Sequence, residues 1–152
     1  MKQISTKAKS WINLIVFLIT LIINYLTASG LINGMSQKVV SNKYNTLITP
    51  AGFAFSIWGL IYFLIGSSLI YMLVKVKETK VKNLIGILTP IFLFNLLFNI
   101  LWNISFSYEK LGFSAIFISL MLINLILINK KLYDHRKEIE YLSLIHISEP
   151  TR

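Results

Sequence analysis

Four stretches of this chain carry no charged residue: Ser10–Gln37, Tyr44–Val74, Asn83–Tyr108 and Leu111–Asn129. No other feature limits the fold so strongly. A bilayer's hydrocarbon core is about 30 Å thick, and a helix of about 20 residues crosses it. Each stretch can supply such a helix. Backbone groups in lipid have no water to bond, so a run of this length closes its hydrogen bonds within a helix. The predicted spans are 11–29, 51–74, 84–106 and 112–130. They make an all-α integral membrane bundle, with one transmembrane domain over residues 1–141.

The balance of residues agrees, at 55% hydrophobic and 14% charged. A net charge of +9 could point to nucleic acid. The basic residues, however, sit between the apolar runs and not along one face, so they read as flanks of membrane spans, and no nucleic-acid partner is expected. They cluster before span one (Lys2, Lys7, Lys9), between spans two and three (Lys75, Lys77, Lys80, Lys82) and after span four (Lys130, Lys131, Arg136, Lys137). The other two connections hold only Lys38, Lys43 and Lys110. The positive-inside rule then predicts a multi-pass protein of the cell membrane, with the N-terminus and the residues after span four in the cytoplasm. A basic start and Thr27-Ala-Ser29 also fit a signal peptide. The first apolar run is long for one and more spans follow, so it reads as a span.

Catalytic patterns are missing. The chain has no cysteine, no His-Glu-x-x-His, no Gly-x-Ser-x-Gly and no phosphate-binding glycine loop. Of its six carboxylates, none lies within a predicted span, which disfavours transport coupled to a buried acid. The expectation is a protein that is not an enzyme, with no metal site and no required cofactor.

Gly30–Thr49 is the longest connection. It carries the turn signal Asn33-Gly34, and Tyr44 and Leu47 could fold back over the bundle, making it either a solvated connector or a lid. The connection at Glu109-Lys110 is so short that spans three and four form an antiparallel hairpin. Residues 142–152, LSLIHISEPTR, read as the in-frame translation of a transposase-type sequencing adapter. A native protein continuing past Tyr141, and a bundle of five or more helices, are therefore expected. His146 and Glu149 carry no functional argument.

Two clusters could carry function. Thr49 and Pro50 form a good N-cap and first helical residue for span two. At 100° per residue, Gly52, Ser56, Gly59 and Gly66 share one narrow face, and Phe55, Trp58, Tyr62 and Leu69 the neighbouring one. Small residues let membrane helices approach closely. The aromatic face fits core packing, an interfacial belt or the wall of a ligand pocket. On span three, Asn95, Asn99 and Asn103 recur every four residues, with Trp102 and Phe106 beside them. Carboxamides at membrane depth face protein or a cavity, not lipid. The stripe is either interhelical bonding or the polar handle of an apolar pocket.

At these clusters the chain resembles the tryptophan-rich sensory protein, or translocator protein (TspO/MBR), family, in a divergent bacterial branch. The resemblance runs through Tyr44-x-x-Leu47, Pro50, Phe55-x-x-Trp58-x-x-x-Tyr62, Asn99-x-x-Trp102-x-x-x-Phe106, Gly112 and Ala115. Pro50-Ala51 stands where the family usually has a proline pair, the further loop tryptophans are missing, and Phe106-Ser107 replaces an aromatic pair. The resemblance implies a five-helix bundle, often a homodimer, that binds tetrapyrroles or sterol-like molecules under its first loop. On that basis a porphyrin ligand would be held by Tyr44, Leu47, Phe55, Trp58, Tyr62, Asn95, Asn99, Trp102 and Phe106, with the lipid bilayer as the other partner. No histidine lies in a predicted span, so none is expected on a haem iron. Two rival readings remain: a small permease whose asparagine stripe lines a polar path, and a structural membrane protein that docks a partner on its glycine face.

Overall fold

The computed structural model describes residues 4–44 and 56–148, with side chains up to residue 137. The described residues form five helices: α1 (Thr6–Ala28), α2 (Gln37–Lys43), α3 (Ile57–Val74), α4 (Thr79–Ser107) and α5 (Leu111–Ser148). Four are long and apolar enough to cross a membrane: α1, α3, α4 and α5 as far as Lys137. They overlap the predicted spans, but α1 and α4 begin earlier than expected, at Thr6 and Thr79, α5 continues past residue 130, and the start predicted for span two lies outside the described residues. Leu47, Thr49, Pro50, Gly52 and Phe55 lie outside the described residues.

α4 is the central helix. It packs along α1 on one side and α5 on the other, while α3 rests mainly on α1. The interior of this bundle is largely polar. Ser10, Asn13, Thr20 and Thr27 of α1 are buried, as are Thr89, Asn99, Asn103 and Ser107 of α4 and Ser114 and Asn124 of α5. On α1 the inward row runs Ser10, Asn13, Phe17, Thr20, Asn24, Thr27, a helical repeat of three and four. Its outward row is Ile15, Leu18, Ile19 and Ile22, all exposed. In water this arrangement would be inside out. In lipid the tails accept the apolar faces at no cost, and polar and small side chains gain by meeting one another. Among the described residues, one small apolar cluster, Phe17, Leu69 and Leu96, joins α1, α3 and α4.

Of the small face predicted on span two, Gly66 lies against α1. A Cβ there would stand 3.3 Å from the Phe17 ring. Gly59 has open space around it, and Ser56 is exposed at the start of α3. The aromatic side of α3, not its small side, turns most fully inward. Leu69 is buried, and Trp58 and Tyr62 are half-buried.

Two helices end in the same way. Gly30 follows α1 at φ +76°, with Leu31 N–H donating to the Leu26 carbonyl and Gly30 N–H to that of Thr27. Glu109 follows α4 at φ +56°, with Lys110 N–H donating to the Ser105 carbonyl and Glu109 N–H to that of Phe106. This left-handed cap suits glycine, and a Cβ on Gly30 would sit 3.1 Å from the Ser36 nitrogen. At Glu109 a residue with a carboxylate takes the strained position.

Candidate functional site at the loop end of the bundle

The first loop, the start of α3 and the end of α4 meet at one end of the bundle. Two constructions coincide there. The first is a ladder of rings. Phe17 meets Tyr62 edge to face at 6.3 Å, Tyr62 stacks with Trp58 at 5.9 Å, Trp58 leans on Trp102 at 5.3 Å, and Trp102 on Phe106 at 6.2 Å. Residues 58 and 62 share one face of α3, and 102 and 106 one face of α4, so the ladder crosses from helix to helix. Trp102 is only 6% exposed.

The second is a network of neutral hydrogen bonds that touches every helix. Asn24 of α1 donates to Tyr62 OH at 2.8 Å and to Asn103 Oδ1 at 3.2 Å. Tyr62 OH donates in turn to Asn99 Oδ1 at 3.2 Å. Asn103 Nδ2 donates to the Asn99 side chain at 3.0 Å and to its carbonyl at 2.9 Å. Gln37 of α2 donates to Asn103 Oδ1. Asn99 Nδ2 faces the Met121 sulfur of α5 at 3.6 Å. Asn103 is fully buried and Asn99 nearly so. No buried side-chain polar atom of this network lacks a partner, as a low-dielectric interior requires.

The loop is fastened over this network. Asn33 donates to the Ser107 carbonyl, and the Ser107 hydroxyl is shared between Asn33 Oδ1 at 3.0 Å and the Met35 carbonyl at 3.2 Å. Further out, Lys43 Nζ and Tyr44 OH both donate to Glu109 Oε2, each at 2.6 Å. The paired donors hold the Glu109 carboxyl below the usual glutamate range, and the carboxylate raises both Lys43 and Tyr44. A carboxyl whose pKa is depressed contributes its full interaction above its unfolded value, and the contribution fades as pH falls through the depressed one. The clasp is therefore complete at neutral pH, weakens in acid as Glu109 is protonated, and weakens again only at a pH high enough to deprotonate Lys43 and Tyr44. Hydrogen exchange of α2 amides checks this. Protection should stay level from neutral pH to about pH 5 and fall below about pH 4. Glu109→Gln should give the fast exchange at every pH. Unchanged protection in that variant would remove the clasp.

The predicted binding residues divide into groups. Trp58, Tyr62, Asn99, Trp102 and Phe106 come together. Asn95 stands apart and donates to the Met121 carbonyl of α5 at 3.4 Å. Residues four apart drift about 40° around a helix, so the stripe from Asn95 to Asn103 turns from one neighbour to another. Tyr44 is 43% exposed and faces Glu109 rather than the rings. Leu47 and Phe55 lie outside the described residues. Asn24, Asn33, Gln37, Ser107 and Met121 join the site without having been expected there. The polar row on span one is a usable signal for Asn24. The loop contacts, such as Gln37 with Asn103 66 residues away, have none.

An open cavity of about 360 Å³ lies at the opposite end of the bundle, between α1, α3, α4 and α5. None of the predicted binding residues lines it.

The sequence profile of a family described as TSPO-like protein matches residues 10–148. No curated protein and no solved structure matches the chain significantly.

Proposed function

Because the chain belongs to the TSPO-like protein family, we propose that it is a membrane binding or sensory protein for a flat apolar ligand, such as a tetrapyrrole, taken up at the loop end. The observation that carries this reading is the Trp58–Trp102 contact between α3 and α4, directly beside the Asn24–Tyr62–Asn99–Asn103 network. A planar ring system inserted there exchanges one aromatic partner for another, so the bundle loses little when it opens. The carboxamides supply donors and acceptors at the edge of the plane, the usual make-up of an apolar site with a few placed polar groups. The clasped first loop supplies the cover. These groups are neutral and suit binding better than proton transfer. Asn99 and Asn103 bond to each other and Asn95 to the Met121 carbonyl, so the stripe is taken up by contacts within the bundle, which lends no support to a permease.

Protoporphyrin IX titrated into detergent-solubilised protein tests the proposal, followed by the porphyrin's own absorbance so that loss of a tryptophan does not alter the signal. Trp58→Ala and Trp102→Ala are each expected to weaken binding about tenfold or more. Wild-type affinity in both variants would remove the ligand from this site.

For the orientation, we infer that the N-terminus and the segment after the apolar part of α5 lie in the cytoplasm, on the strength of Lys75, Lys77, Lys80, Lys82, Lys130, Lys131, Arg136 and Lys137. A reporter fused after Lys137 should be active only as a cytoplasmic enzyme. Activity of a periplasm-dependent reporter there would reverse the orientation.

A further inference from the structure

The ring ladder and the carboxamide network beside it hold no charged side chain. A neutral interior offers no partner to an ionised acid. A planar ligand with acid groups therefore has to place them at the rim. The two connections at this end of the bundle hold Lys38, Lys43 and Lys110, with Glu109 as their only acid.

Helix α2 joins the network to this rim. Gln37 at its start bonds to Asn103, and Lys43 at its end pairs with Glu109, each across 66 residues of sequence. The equal spacing means that α2 runs alongside the end of α4 in the same direction. The six residues from Gln37 to Lys43 span about 9 Å of helix, which is the reach from the network to the rim. There Lys43 Nζ and Tyr44 OH donate to one and the same oxygen, Glu109 Oε2. An ammonium and a phenol aimed at one point form a carboxylate-binding pair. The Lys43 side chain is 52% exposed, and an exposed ion pair exchanges one carboxylate for another at little cost.

We propose that Lys43 and Tyr44 are the subsite for a carboxylate of the planar ligand, and that Glu109 is the chain's own stand-in for it, displaced when the ligand enters. The proposal rests on planar-ligand binding at Trp58 and Trp102. It narrows the ligand to ring systems with an acid group at one edge, such as a porphyrin dicarboxylate.

Paired titrations in detergent test the subsite, with protoporphyrin IX and its dimethyl ester, which keeps the ring and loses the charges. The readout is the ratio of the two affinities, in which any change of the cover that affects both compounds cancels. Glu109→Gln removes the competitor and should raise the preference for the diacid about tenfold. Lys43→Met added to that variant should return the ratio to the wild-type value or below. Lys38→Met added in its place removes the same charge from another side of α2 and should leave the raised ratio unchanged. In Glu109→Gln the bound diacid should also slow hydrogen exchange of the α2 amides, which the bound ester should not. An unchanged ratio in Glu109→Gln, or an equal fall with Lys38→Met and Lys43→Met, would overturn the subsite while the planar site stands. Failure of both compounds to bind would overturn the planar site and the subsite with it.

Discussion

Asn103→Leu is expected to destabilise the protein by about 2–4 kcal/mol, because three side-chain partners lose their bonds at once and membrane hydrogen bonds contribute roughly 0.6–1.7 kcal/mol each. Asn103 accepts from Asn24 and Gln37 and donates to Asn99. Leucine matches its size but leaves those carboxamides buried and short of partners. Asn124→Leu is the control. Asn124 is also buried, yet its Oδ1 has no partner, so its loss should cost less than about 1 kcal/mol. Unfolding in mixed micelles measures both. Equal effects would mean that burial of a carboxamide, and not the network, sets the stability.

Gly66→Leu is the second large effect, at about 1–3 kcal/mol from overpacking. The Cβ alone would approach the Phe17 ring to 3.3 Å, and the rest of a leucine has to push α1 and α3 apart. That separation disturbs Phe17, Leu69 and Tyr62 together. Gly59→Leu, with open space at its Cβ, should stay within about 0.5 kcal/mol. The same unfolding assay checks the pair, and a larger loss at Gly59 would contradict the packing described for α3.

The spans are legible in the sequence because charge-free runs of bilayer length admit few folds. Phe17 and Asn24 on span one show what is harder to read. In lipid the inward face is marked by polar and small residues, the reverse of the pattern that identifies a soluble core. Trp58, Tyr62, Asn99 and Trp102 are legible as a cluster because each pair keeps a helical spacing. Asn95 is not separable from Asn99, since the drift of a four-residue repeat matters only once the neighbouring helices are placed. Helix α2 escapes notice within the first loop, although Ser36 caps it by accepting from the Val39 N–H. The Glu109 clasp escapes too, because a carboxylate in a short turn does not announce a lysine 66 residues away and a tyrosine 65 residues away.

The proposed function places a planar ligand at the loop end of the bundle and not in the cavity at the other end. A photoreactive porphyrin bound to the solubilised protein and mapped by peptide mass spectrometry decides between them. Crosslinks are expected at the start of α3 and the end of α4, on Trp58, Tyr62, Trp102 and Phe106. Crosslinks confined to the cavity walls at the other end, on Leu69, Met72, Leu84 and Leu88, would contradict binding at the loop end.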